Sequence, residues 1–176
     1  MSESSSVYVL FGNLTEEVIG KMTRWAVDRK MNNPNQTSTL LINSGGGGTC
    51  AAFAAIDLLI SLGNVNTVAL GQASSMAFPL FLCGKRRFVG AHTKFLLHEL
   101  RRGFDNDDYL KPSQLDNAHI EVGTTQARYC EFVEKVTEFP KEGLLDLMKN
   151  ERVIYAETAV KWGFAHEILT PENSIF

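Results

Sequence analysis

A chain of 176 residues, 44% hydrophobic and 21% charged, carries enough apolar material for one ordinary globular core. Its formal net charge of −3, with basic residues in short clusters such as Lys85-Arg86-Arg87 and Arg101-Arg102, excludes the electrostatic footprint of a nucleic-acid binder. Cys50, Cys83 and Cys130 are odd in number and form no Cys-x-x-Cys pair, so free or buried thiols in a reducing compartment are expected rather than disulfides or a zinc knot.

The first six residues, Met-Ser-Glu-Ser-Ser-Ser, are polar and carry no basic n-region, and the apolar run Val7–Phe11 is too short for a signal peptide or a membrane span. A cytoplasmic protein is expected, with 1–6 as a flexible N-terminus, 7–170 as one domain and 171–176 as a tail. Val7–Phe11 reads as a strand. Thr15-Glu16-Glu17 offers a capped start to a helix whose Val18, Met22 and Trp25 share a face. Thr39–Asn43 is a short strand running into Ser44 and four consecutive glycines, 45–48, after which 49–62 is an alanine-rich, almost wholly apolar helix. Val65–Leu70 is the next strand, Met76–Cys83 a short apolar helix, and Arg87–Gly90 and Lys94–His98 are further strands. This β-α alternation predicts an α/β fold with substantial parallel pairing. From Pro112 onward two interleaved seven-residue series, Leu115, Val122, Tyr129, Val136 and Ala118, Thr125, Phe132, Phe139, define one seam on a long helix. That seam either lies on the domain's own core or projects to build an interface between copies.

Two segments carry chemistry. A glycine run between strand and helix can present amide N–H groups to an anion, as an oxyanion hole or a phosphate cradle. No Gly-Lys-Ser/Thr follows it, and Cys50 breaks a Gly-x-Gly-x-x-Gly pattern, so a nucleotide loop is not expected. Residues 71–76, Gly-Gln-Ala-Ser-Ser-Met, place a serine pair where a strand turns into a helix. There backbone N–H groups can stabilise a developing oxyanion, although a lone serine at such a position also serves as an N-cap. His98 ends the last strand of this region and is a candidate base, although a buried histidine bonded to backbone is equally ordinary. His98-Glu99 lacks the second histidine of a zinc protease, and His92, His119 and His166 are scattered among different elements, so no catalytic metal or other cofactor is expected.

Asn43-Ser44-Gly45-Gly46-Gly47, Gly71–Met76, Leu96-Leu97-His98 and Glu151-Arg152 ahead of the segment 156–163 together resemble the Clp protease proteolytic subunit, over residues 7–170. The resemblance implies an α/β fold of repeated β-β-α units, of the Clp protease and crotonase type, with a long projecting helix. It implies a serine endopeptidase in which Ser75 is the nucleophile, His98 the general base and Glu151 the acid, with Gly47 and Met76 supplying the oxyanion amides. Glu151 stands where the family usually has aspartate, and Asp146 is a nearby rival for the role. Gly45 replaces a common proline, and Ala77 a common glycine. The family assembles as stacked heptameric rings and docks a hexameric AAA+ unfoldase through an N-terminal segment, and the few residues before the first strand here argue against that partner. ATP-independent hydrolysis of peptides or unfolded polypeptide in a ring chamber is the reading implied. The alternatives are a catalytically weak or inactive ring subunit with a scaffolding role, and an acyl-CoA enzyme of the crotonase type.

Overall fold

The computed structural model describes residues 6–103 and 111–173; of the expected flexible N-terminus 1–6 and tail 171–176, residues 1–5 and 174–176 lie outside the described residues. In chain order the elements are β1 (Val7–Phe11), α1 (Glu16–Asn32), β2 (Ser38–Ser44), α2 (Thr49–Leu62), β3 (Val65–Ala73), α3 (Ala77–Leu82), β4 (Arg87–Val89) and β5 (Lys94–Leu96). There follow α4 (Pro112–Thr137), α5 (Lys141–Lys149), β6 (Val153–Tyr155), α6 (Ala156–Lys161), β7 (Glu167–Ile168) and a final 3-10 turn, Pro171–Asn173.

Strands β1-β2-β3-β4-β7 form a parallel sheet in that spatial order. Parallel neighbours need crossovers, and α1, α2 and α3 supply the first three of them. The central strands are apolar on both faces, as a sheet covered on both sides requires: Leu40, Ile42, Val68 and Ala69 are fully buried. β3 outlasts its neighbours. Its first half pairs with β2 and β4, and past Gly71, which has φ 76°, Gln72 pairs with Lys94 of β5. β5 then pairs antiparallel with β6, so a second small sheet branches from the C-terminal end of the first.

Helix α1 begins where Thr15 Oγ1 accepts the Val18 N–H at 3.2 Å and Glu16 and Glu17 complement the positive end of the helix. Its buried stripe is Ile19, Met22, Trp25 and Ala26. Helix α3 is buried at every position, and its aromatic side chains tie it to the second sheet. Phe78 meets Phe95 edge to face at 5.5 Å and Phe164 at 5.0 Å, and Phe81 lies 5.3 Å from Phe95. Each fully buried phenylalanine contributes about 2–3 kcal/mol, so the helix after the serine pair and the strand before His98 are packed as one unit.

The long helix divides. In its C-terminal half Tyr129, Cys130 and Val133 are buried on the core, whereas Leu115 and Ile120 remain 49% and 63% exposed. The seven-residue seam thus predicts the helix and its length but not its burial, because an α-helix drifts from a strict seven-residue repeat and only one half has a core beneath it. Phe139 falls beyond Glu138, whose left-handed φ of 62° ends the helix. Cys50, Cys83 and Cys130 are free thiols. Among the described residues no helix is long and apolar enough to cross a membrane.

Candidate active site

β3 ends at Ala73 and the chain reverses into α3 within three residues. Ser75 adopts a left-handed φ of 50°, which costs a non-glycine residue about 1–3 kcal/mol and persists only where its surroundings enforce it. They do. The Ser74 N–H donates to Ser44 O at 2.9 Å, the Ser75 N–H donates to Leu96 O at 2.9 Å, and the Leu96 N–H donates to Ser74 Oγ at 3.0 Å. The two serines therefore differ in kind. Ser74 is buried and its hydroxyl holds β5 to the turn, whereas the Ser75 side chain opens onto a groove.

The glycine loop is shaped by its neighbours on both sides. A Cβ on Gly46, which has φ 102°, would stand 2.6 Å from Ser75 Cβ and 3.0 Å from the Met76 nitrogen. A Cβ on Gly47 would meet the Leu14 carbonyl oxygen at 2.5 Å. Leu14 pairs with this loop as a short parallel bridge: its N–H donates to Gly46 O at 2.9 Å and its carbonyl accepts the Gly48 N–H at 3.0 Å. Parallel pairing of that kind turns Gly47's own N–H to the opposite edge. The Gly46 N–H is taken by Ser44 Oγ at 3.1 Å. Among the described residues the N–H groups of Gly47 and Met76 donate to no protein acceptor, and both flank Ser75.

His98 follows β5 by two residues and lines the same groove as Ser75, with Asn13, Leu14, Thr15 and residues 45–51, in a cleft of about 760 Å³. Its Nδ1 lies 2.7 Å from Glu99 O. A carbonyl only accepts, so Nδ1 carries the proton and Nε2 is left as the acceptor. The Leu97 N–H donates to Arg152 O at 3.1 Å, prolonging the β5–β6 register of Lys94 with Tyr155, Phe95 with Ile154 and Leu96 with Val153. One residue beyond that contact on either side stand His98 and Glu151, at the same end of the ladder. The Glu151 carboxylate nevertheless pairs with the Arg101 guanidinium, both side chains being exposed. Glu151 has a left-handed φ of 48° at the end of α5, its N–H donating to Met148 O at 3.1 Å. Asp146 lies a turn earlier on α5, where its Oδ1 accepts from Asn150 Nδ2 at 3.0 Å.

The fold thus brings Ser75, His98 and Gly47 to one groove, with the Met76 amide next in the chain after Ser75; Glu151 is not among the described residues that line it. Sequence reasoning passed over three further groups: the Ser74 hydroxyl, the Glu99 carbonyl and Arg101. The first two act through backbone geometry that composition does not reveal, and Arg101 reads in sequence only as half of a short basic cluster. Of the other histidines, His166 is occupied by the Arg87 N–H, which donates to its Nδ1 at 2.9 Å, and His92 and His119 are exposed. Among the described residues no group of three His, Cys, Asp or Glu side chains is placed to hold a metal ion.

A family profile described as Clp protease matches residues 5–172. Relatives named ATP-dependent Clp protease proteolytic subunit 1 come from Chlamydia trachomatis serovar D, 28% identical over 83% of this chain and 77% of the relative, and from Chlamydia pneumoniae, 28% identical over 86% and 78%. A protein of Thermobifida fusca named ATP-dependent Clp protease proteolytic subunit 2 is 30% identical over 75% of this chain and 64% of its own.

Proposed function

Because the chain belongs to the Clp protease family, a family of serine proteases that work in oligomeric chambers, we propose that it hydrolyses peptide bonds with Ser75 as nucleophile and His98 as general base. The observation that carries this reading is the strained Ser75 backbone facing a groove shared with His98 and Gly47, with the Gly47 amide and that of the next residue, Met76, unpaired among the described residues. In the reaction, Ser75 Oγ attacks the scissile carbonyl while His98 Nε2 accepts the hydroxyl proton. The tetrahedral oxyanion forms between the Gly47 and Met76 N–H groups, an interaction worth about 3–4 kcal/mol per donor in acyl transfer. His98 then gives its proton to the departing amine, and water resolves the acyl-enzyme by the same route. Glu151 is the acid of this triad, reaching Nδ1 across the β5–β6 pair. The open edge of Gly47 suits an extended peptide that adds as a strand, so unfolded polypeptide is the substrate class.

We place this chemistry in a ClpP/crotonase-type fold within a cytoplasmic homo-oligomer, a heptameric or stacked double ring. The exposed apolar side chains of β1, Val9 and Phe11, and of α4, Leu115 and Ile120, are the kind of surface that neighbouring copies cover. Short peptides need no unfolding, so their cleavage is independent of ATP. A fluorophosphonate probe with a short fluorogenic peptide tests the proposal: adduct on Ser75 and nucleotide-independent hydrolysis, both absent from Ser75→Ala, are expected. An assembled, folded protein that resists the probe at neutral pH would overturn it. The pairing of Glu151 with Arg101 favours the second reading, a weak or inactive ring subunit, and the same labelling separates the two.

A further inference from the structure

The peptidase reading needs the Glu151 carboxylate at His98 Nδ1, yet two contacts stand in the way. Glu99 O occupies Nδ1, and Arg101 holds the carboxylate. Resting on that reading, we propose that Arg101 is a positioning residue that sets whether Glu151 serves His98: it parks the acid beside the groove, and the triad closes when this ion pair opens.

Three contacts fix where Arg101 sits. The Leu97 N–H is bound to Arg152 O on the β6 side, and the Leu100 N–H donates to Gln126 Oε1 of α4 at 2.9 Å. Arg102, the next residue, pairs with Glu121 of α4. The segment after His98 is thereby strapped between β6 and the long helix, with Arg101 in the middle and its guanidinium over Glu151. Glu151 lies two residues before β6 and His98 two residues after β5, its antiparallel partner, so both leave the same end of one ladder. With the acid parked, Glu99 O keeps the Nδ1–H tautomer, so the base is correctly protonated but lacks a negative charge to stabilise the imidazolium formed during attack. Because the ion pair is exposed, water and salt compete for it, and its hold corresponds to a population bias of about two- to five-fold rather than a complete block.

The test compares Arg101→Met, which keeps the apolar stem without the charge, with Glu151→Gln and the double variant, in the assembled full chain. Arg101→Met is expected to raise kcat on a fluorogenic peptide about two- to five-fold at low ionic strength with little change in KM. That advantage shrinks as added salt releases the pair in the parent protein, and it vanishes in the double variant. In parallel, NMR of the Ser75→Ala protein with 15N-labelled histidine reads the Nδ1 proton of His98. This proton moves downfield on Arg101→Met, as a carboxylate replaces a carbonyl, and returns when Glu151→Gln is added. An unchanged proton, or one that shifts equally in the double variant, overturns the proposal, as does a kcat at or below that of the parent. The proton readout needs no turnover: if every variant resists the fluorophosphonate, the peptidase reading fails while the shift still decides whether Arg101 holds Glu151 from His98.

Discussion

At Ser74 and Ser75 a difference of one position separates a structural hydroxyl from the one proposed as nucleophile. Ser74 Oγ is the acceptor of the Leu96 N–H, so Ser74→Ala leaves a half-buried donor unpaired and is expected to cost about 1–3 kcal/mol in urea denaturation. Labelling of Ser75 by a fluorophosphonate should persist in that variant, because the proposed nucleophile and its proposed amides are untouched. Ser75→Ala should do the reverse, losing all labelling while its stability stays within about 0.5 kcal/mol of the parent, since its hydroxyl holds no structural hydrogen bond. Sequence distinguishes these serines only through the family motif; in amino-acid terms they are identical. The left-handed φ of Ser75 was illegible for a physical reason: the glycine that accommodates the turn is Gly46, twenty-nine positions upstream, whose missing Cβ leaves room for Ser75 Cβ.

Elements that alternate locally were legible, and those defined by distant partners were not. β1, α1, β2, α2 and α4 each carry a cap, a glycine or a periodic stripe within their own residues; the observed limits of β1, β2 and α2, and the observed starts of α1 and α4, lie within a residue or two of those expected. β6 is three residues long, and its partner β5 is fifty-seven residues away; neither alternation nor propensity announces such a strand, yet Glu151 and His98 leave the same end of this pair. β4 and β7 make a similar short junction, and there the chemistry is testable. Arg87 is buried, donating from Nε to Phe164 O at 2.8 Å and from Nη2 to Gly163 O at 3.0 Å, while its N–H donates to His166 Nδ1. Burial first, then the charges of Arg87 and Arg86, hold the His166 imidazole below its ordinary pKa, with Glu167 opposing. The folded state therefore prefers neutral His166. Its contribution to stability is present above an ordinary imidazole value of about 6.5 and is lost as pH falls through the depressed folded value. Urea midpoints measured from neutral to mildly acidic pH should fall for the parent, and more shallowly for His166→Asn, whose Oδ1 can still accept the Arg87 N–H without titrating. Equal slopes would remove His166 from the account.

Among the described residues, exposed apolar side chains stand on the edge strand β1 and on the N-terminal half of α4. Val9 and Phe11 are 58% and 73% exposed, and α4 carries Leu115 and Ile120, 49% and 63% exposed, beside the buried Ala118. A lone exposed leucine is ordinary, but a helix of 26 residues with only its second half on a core is held by packing at one end. In a ring, the other half is covered by a neighbouring copy, and the stability of that half becomes a property of the assembly rather than of the protomer. Ile120→Ser separates these levels. Within a protomer the substitution touches no buried contact and should cost less than about 1 kcal/mol, chiefly through helix propensity. Across an interface it removes a branched apolar side chain from a covered patch, at about 2–3 kcal/mol per subunit, repeated by symmetry around the ring. Light scattering at matched concentrations should therefore show the variant shifted to smaller species, with circular dichroism of the protomer nearly unchanged. Peptide hydrolysis should fall with the fraction assembled, because α4 also anchors the segment after His98 through Gln126 and Glu121. A variant of unaltered mass would mean that Ile120 lies outside any interface, and the exposed side chains of β1 would be the next to test.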